Sequence, residues 1–211
     1  MASAIAHGSF TPLGAFYPAN MRLFIGFTPP EAATHHLAEY LATMRASQAW
    51  SSLSQVRWVP PEHWHVTVAF LGDVDDGRVR QITAALGTVA SDHARLPSMH
   101  LAELGRFPTA LWVGVHPTER FSPADRLARA VQRTMRGVGV QVERRPWRAH
   151  LTIARLRGLQ SSSALPALAP YSGPGWSVDA IQLVESITGP IPRYQLVEQF
   201  SLRAAPPTQV N

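Results

Sequence analysis

Two short segments, His65-Val66-Thr67-Val68 and His150-Leu151-Thr152-Ile153, each place a threonine two residues after a histidine and fill the other positions with aliphatic residues. Side chains alternate faces along a strand, so the imidazole and the hydroxyl share one face and the aliphatic pair takes the other. Val66, Val68, Leu151 and Ile153 can then anchor a core, leaving His65, Thr67, His150 and Thr152 facing a common space. Two imidazoles suit phosphate chemistry. One takes a proton from water while the other, as imidazolium, protonates the departing oxygen. The threonine hydroxyls donate hydrogen bonds to the non-bridging oxygens, and with the imidazolium they stabilise the added negative charge without a metal. A lone histidine on an apolar strand is ordinarily structural; a matched second copy changes that balance.

The elements that must position these residues repeat as well. Phe24-Ile25-Gly26-Phe27-Thr28-Pro29-Pro30-Glu31 lines up with Trp112-Val113-Gly114-Val115-His116-Pro117-Thr118-Glu119, matching glycine, proline and glutamate at one offset. The same offset less three residues superimposes the two histidine segments. The chain therefore reads as strand, helix and histidine strand, performed twice. A duplicated α+β unit with pseudo-twofold symmetry brings the two histidine strands side by side at its centre.

In detail, Met21 to Phe27 is an apolar run suited to a strand buried on both faces. Thr28-Pro29-Pro30-Glu31 reads as a helix start with Thr28 as cap and Glu31 closing a capping box. Ala33, Leu37, Tyr40, Leu41 and Met44 follow at helical spacing. Strands are expected at 56–59, 65–70, 99–104, 111–115, 147–153, 177–186 and 194–202, and helices at 75–90 and 123–138. The inner face of the last helix is read as Leu127, Val131, Thr134 and Val138. The Ser/Pro/Gly-rich stretch 160–175 reads as a loop. Residues 1–20 lack either structural period and read as a tail, 21–203 as a single bilobal domain, and 204–211 as a second tail.

With 211 residues, 45% hydrophobic and 16% charged, the chain can bury a core and is not an extended disordered segment. It contains no cysteine, which removes disulfides, thiolate metal sites and cysteine nucleophiles and fits a reducing compartment. No stretch approaches a membrane span, and the start lacks a basic segment followed by an apolar one, so a cytoplasmic location is expected. All 19 basic residues are arginine, and the net charge of +5 favours an anionic partner. Ten of the arginines lie between Arg120 and Arg157, against only Asp125 and Glu143.

The stretch from Val59 to Val74, with Phe70-Leu71-Gly72 after the first motif, and the stretch Arg145 to Arg155, with Ala154-Arg155 after the second, resemble the two-histidine (2H) phosphoesterases. Within them the chain is most similar to the RNA 2′,3′-cyclic phosphodiesterases, also called LigT-like or 2′-5′ RNA ligase family proteins. The resemblance spans Met21 to about Leu202, including the opening Met21-Arg22-Leu23-Phe24-Ile25 and the ending Tyr194-Gln195-Leu196-Val197-Glu198-Gln199-Phe200. It implies two antiparallel sheets flanking a central cleft with helices outside. It implies hydrolysis of a ribose 2′,3′-cyclic phosphate to a 2′-phosphate without a cofactor, with His65 as proton donor and His150 as acceptor. The residues alone leave those two roles unassigned. The implied partners are RNA ends or nucleoside 2′,3′-cyclic phosphates, bound by a monomer.

Other residues admit two readings. Arg148 shares strand parity with His150 and is expected in the cleft as a phosphate ligand. Arg155 has the opposite parity, yet follows the motif as in the family; it reaches the phosphate only if the strand ends or bulges near Ala154. Trp58 and Trp147 either pack in the core or stack on a base. Arg126, Arg129, Arg133 and Arg136, at i, i+3, i+7 and i+10, form either a solvated helix face or a track for RNA phosphates. His63 with His65 has the spacing of a metal pair, but further ligands are not evident. Set against the phosphodiesterase is a non-catalytic RNA-binding protein using the arginine-rich second half, which has no need of two matched titrating groups. Ligation of 2′-5′ junctions is a third possibility, disfavoured in water.

Overall fold

The computed structural model describes residues 20–117, 123–157, 166, 168, 170–189 and 192–204. In chain order these form β1 (Asn20–Phe27), α1 (Glu31–Ala46), α2 (Gln48–Ser51), β2 (Val56–Trp58), β3 (Val66–Asp75), α3 (Asp76–Asp92), β4 (Leu96–Phe107), β5 (Ala110–Pro117), α4 (Pro123–Gly137), β6 (His150–Leu156), β7 (Ser172–Val178), β8 (Ala180–Ile187) and β9 (Arg193–Ser201). Of the two expected tails, 1–19 and 205–211 lie outside the described residues. None of the described helices is long and apolar enough to cross a membrane.

The strands follow the order β7-β4-β5-β6-β3-β1-β8-β9, with β2 added beside β6. Two antiparallel sets of four strands thus meet at β3 and β6, the two histidine strands. They are joined there through one residue pair, Val66 with Leu151. One face of this curled sheet carries Leu23, Ile25, Val66, Leu151 and Ile153, all fully buried in a single apolar cluster that runs through both lobes. Helices cover that face, and the opposite face holds the cleft.

The lobes are not the two halves of the sequence. Helix α1 follows β1 yet packs against β7 and β4 of the other lobe, while α4 follows β5 and packs against α3 and β3. Each lobe is thus closed by a helix from the other half. This exchange couples the lobes more firmly than the single β3–β6 pair does.

Several expectations need correction. The first helix begins at Glu31 after Pro30, with no side-chain cap. Thr28 instead turns its hydroxyl to Gln182 Oε1 at 3.2 Å. In α3 the cap is regular, because Asp75 accepts from the Arg78 amide at 3.1 Å. In α4 the buried face centres on Leu127, Ala128, Val131 and Met135, with Thr134 and Val138 only half-buried. The stretch expected as one strand at 177–186 is two, β7 and β8, and β7 begins inside the expected loop at Ser172. Its Gly173, Pro174 and Gly175 hide the strand from a propensity reading. Being an outermost strand, β7 tolerates proline.

Candidate active site

The Val66–Leu151 pair fixes the geometry of the centre. Extending its antiparallel register by one residue sets His65 across from Thr152 and Thr67 across from His150, all on the face opposite Val66 and Leu151. Each hydroxyl thereby faces the other motif's imidazole. In that register the two histidines stand on the diagonal, where neighbours lie roughly 7–8 Å apart with their Cβ atoms somewhat closer, a spacing that leaves room for one phosphate group. All four residues line one cavity of about 760 Å³.

A bulge falls on the last residue of each motif. Along β1, Ile25 pairs with Ala69 and Gly26 with Thr67, so Val68 is the extra residue. Along β5, Leu111 pairs with Ala154 and Trp112 with Thr152, so Ile153 is the extra residue. Each bulge reverses the strand's parity. Val68 and Ala69 both point inward, as do Ile153 and Ala154, and the next residues, Phe70 and Arg155, emerge on the cleft face. Arg155 therefore reaches the cavity by the bulge that its position required.

Each imidazole is held the same way. The Nδ1–H of His65 donates to the His63 carbonyl at 2.8 Å, and that of His150 donates to the Arg148 carbonyl at 2.8 Å. A ring whose Nδ1 is committed to a carbonyl presents Nε2 for proton transfer. On the His65 side a single 3₁₀ turn, Pro61–His63, brings the His63 carbonyl round, and Trp64 pins it by donating to the Val59 carbonyl at 2.9 Å.

Two aromatic rings flank each imidazole. Phe24 stacks on His65 at 4.6 Å and Tyr194 meets it edge-on at 4.8 Å. Phe107 meets His150 edge-on at 5.2 Å and Trp112 at 6.5 Å. Phe24 and Trp112 are the residues aligned at the start of the internal repeat, which makes these supports part of the duplication. Tyr194 and Phe107 were not identified as site residues from the sequence. They come from β9 and the end of β4, and no local motif marks them.

Burial, the neighbouring charge of Arg155, and His63 and His150 together push the His65 pKa below its ordinary value, although the His63 carbonyl favours the charged ring. Replacing Arg155 by Gln removes one of these opposing charges. The His65 titration, followed by the NMR signal of its ring C–H, should then move upward. An unchanged or lowered titration would separate Arg155 from His65 electrostatically.

Arg148 does not line the cavity. Strand β6 begins only at His150, so strand parity does not extend to Arg148. Its guanidinium lies over the Trp112 ring at 4.3 Å, within an adjoining recess that shares Thr67 and His150 with the cavity. Trp58 lines the cavity. Trp147 donates to the Thr67 carbonyl at 2.7 Å and so ties the segment before the second motif to the first. His63 lines the cavity with its ring edge-on to Tyr194 at 5.3 Å. Among the described residues it belongs to no cluster of three or more metal-binding side chains.

The sequence and the fold are similar to those of known proteins. The chain is 33% identical over 168 residues to the RNA 2′,3′-cyclic phosphodiesterase of Geobacillus stearothermophilus, an alignment that covers 76% of this chain and about half (52%) of that relative. The fold matches a crystal structure of a Thermus thermophilus protein with TM-score 0.69 and 24% identity, covering 87% of this chain and 99% of that one. It also matches E. coli LigT complexed with 3′-AMP, with TM-score 0.68 and 20% identity, covering 87% and 98%. The family model of the 2′-5′ RNA ligase superfamily matches residues 29–190, well over half of the sequence. On that match the chain belongs to the 2′-5′ RNA ligase superfamily.

Proposed function

We propose that the protein hydrolyses ribose 2′,3′-cyclic phosphates, on RNA ends or on nucleosides, to 2′-phosphates. The observation that carries this reading is the pair of imidazoles, each anchored through Nδ1 to a carbonyl, on one cavity wall with a threonine opposite each. The similarity to the Geobacillus RNA 2′,3′-cyclic phosphodiesterase supports it.

Water attacks phosphorus, the bond from phosphorus to O3′ breaks, one histidine takes the water proton, and the other delivers a proton to O3′. His150 is assigned as acceptor and His65 as donor, as the resemblance implies. Burial favours the neutral form of His65 in the free protein. Its donor role therefore needs the substrate: an anionic cyclic phosphate beside the ring favours the imidazolium and returns the proton. Thr67, Thr152 and Arg155 hold the non-bridging oxygens, where negative charge accumulates. No metal is assigned a part. The enzyme works as a cytoplasmic monomer.

The test is turnover of nucleoside 2′,3′-cyclic phosphates in EDTA, with the product isomer identified. Formation of the 2′-phosphate at an undiminished rate is expected. A 3′-phosphate product, absence of turnover, or activity lost to EDTA and restored by a divalent cation would overturn the reading.

A further inference from the structure

The arginines of α4 do not all do the same thing. Arg129 and Arg136 line a groove of about 800 Å³ whose opposite wall carries Arg144, Arg145 and Trp147, whereas Arg126 and Arg133 of the same helix do not line it. Asp125 in the wall and Glu143, paired with Arg145 at 2.6 Å, offset two of the four charges and leave the groove positive. Arg129 and Arg136, seven residues apart, are about 10.5 Å apart along the helix axis. That spreads the charge along a line, as a polyanion requires, instead of focusing it on one phosphate.

The groove is continuous with the reacting centre. Gln132, Arg145 and Trp147 line both it and the recess that holds Arg148. Thr67, Phe107 and His150 in turn line both that recess and the cavity. Where the two meet, Trp147 is fixed by its bond to the Thr67 carbonyl at 2.7 Å, a rigid ring on which a base can stack.

We propose that this groove is a track for the RNA strand running 5′ from the reacting 3′ end, with its phosphates on Arg129, Arg136, Arg144 and Arg145. The proposal rests on the function given above, and it makes an oligonucleotide ending in a cyclic phosphate a better substrate than a mononucleotide. Phosphate contacts of this kind position the strand without reading its sequence.

Two double variants with equal charge change separate the groove from general steering. With an oligonucleotide of about ten residues ending in 2′,3′-cyclic phosphate, Arg129→Gln/Arg136→Gln should raise KM roughly tenfold, the scale of two exposed ion contacts. The slope of log kcat/KM against log salt should become shallower by about 0.7 for each lost contact. Turnover of cytidine 2′,3′-cyclic phosphate should stay unchanged, and Arg126→Gln/Arg133→Gln should alter neither substrate. Equal effects of the two double variants on the oligonucleotide, or no effect of the first, would overturn the track. If the wild type cleaves neither substrate, the functional reading fails. Fluorescence anisotropy of the same oligonucleotide then still tests the groove, with the same loss expected for the first variant alone.

Discussion

His65→Ala and His150→Ala should each lower kcat/KM on cyclic phosphates by roughly 10²–10⁴-fold, the range for losing one positioned proton-transfer group. The cause is geometric as well as chemical. Each ring is fixed by one bond to a carbonyl and by aromatic neighbours, which hold its Nε2 in place for proton transfer. The double variant should fall short of the product of the single losses, because acid and base act in one step. Thr67→Ala and Thr152→Ala should cost less, on the order of 10- to 100-fold, as each removes one hydrogen bond to a charged oxygen. In the wild type kcat/KM should be bell-shaped with pH. Thermal melting of each variant, read beside kinetics, separates chemistry from folding: the histidine variants should lose turnover while melting close to the wild type. Near-normal turnover in either one would end the two-histidine mechanism.

That the two histidines and two threonines share one cavity is legible in the sequence because they are residue types repeated at fixed spacing. Val66 and Leu151 had to point inward, and that alone turned His65, Thr67, His150 and Thr152 toward one space. The bulges at Val68 and Ile153 were not legible, since nothing local distinguishes a bulged valine or isoleucine from a paired one. The one at Ile153 decides that Arg155 enters the cavity. Arg148 lies outside the cavity for the related reason that strand parity does not extend before the start of β6. Tyr194 was seen only as a strand residue, because its place beside His65 depends on β8 and β9 joining the sheet beyond β1. The exchange of α1 and α4 between lobes is likewise a tertiary choice, invisible in the periodicity of either helix. Which arginines of the α4 stripe line a common groove is likewise set by tertiary packing.

Gly26→Ala should destabilise the protein and reduce its activity together, although the added group is one methyl that takes no part in proton transfer. Gly26 lies opposite Thr67 at the bulge, and a Cβ there would stand 2.5 Å from the Val66 carbonyl oxygen. That neighbour is backbone in a fully buried residue and cannot swing aside as a side chain would. Either β1 or β3 must move, at a cost of about 1–3 kcal/mol for overpacking. For a chain of this size that lowers Tm by roughly 2–12 °C. The same movement shifts Thr67 and the neighbouring His65, and a displacement of about 1 Å in a catalytic group can cost on the order of 100-fold in rate. A second glycine supplies the contrast. Gly87, inside α3, has nothing within 4 Å of the place a methyl group would take, so Gly87→Ala meets open space. It should stabilise the helix by about 0.5–1 kcal/mol and leave turnover unchanged. The two substitutions add the same atoms with opposite expected signs. A Gly26→Ala protein that melts and turns over like the wild type would show that the close approach of β1 to Val66 is not what holds the first motif in place.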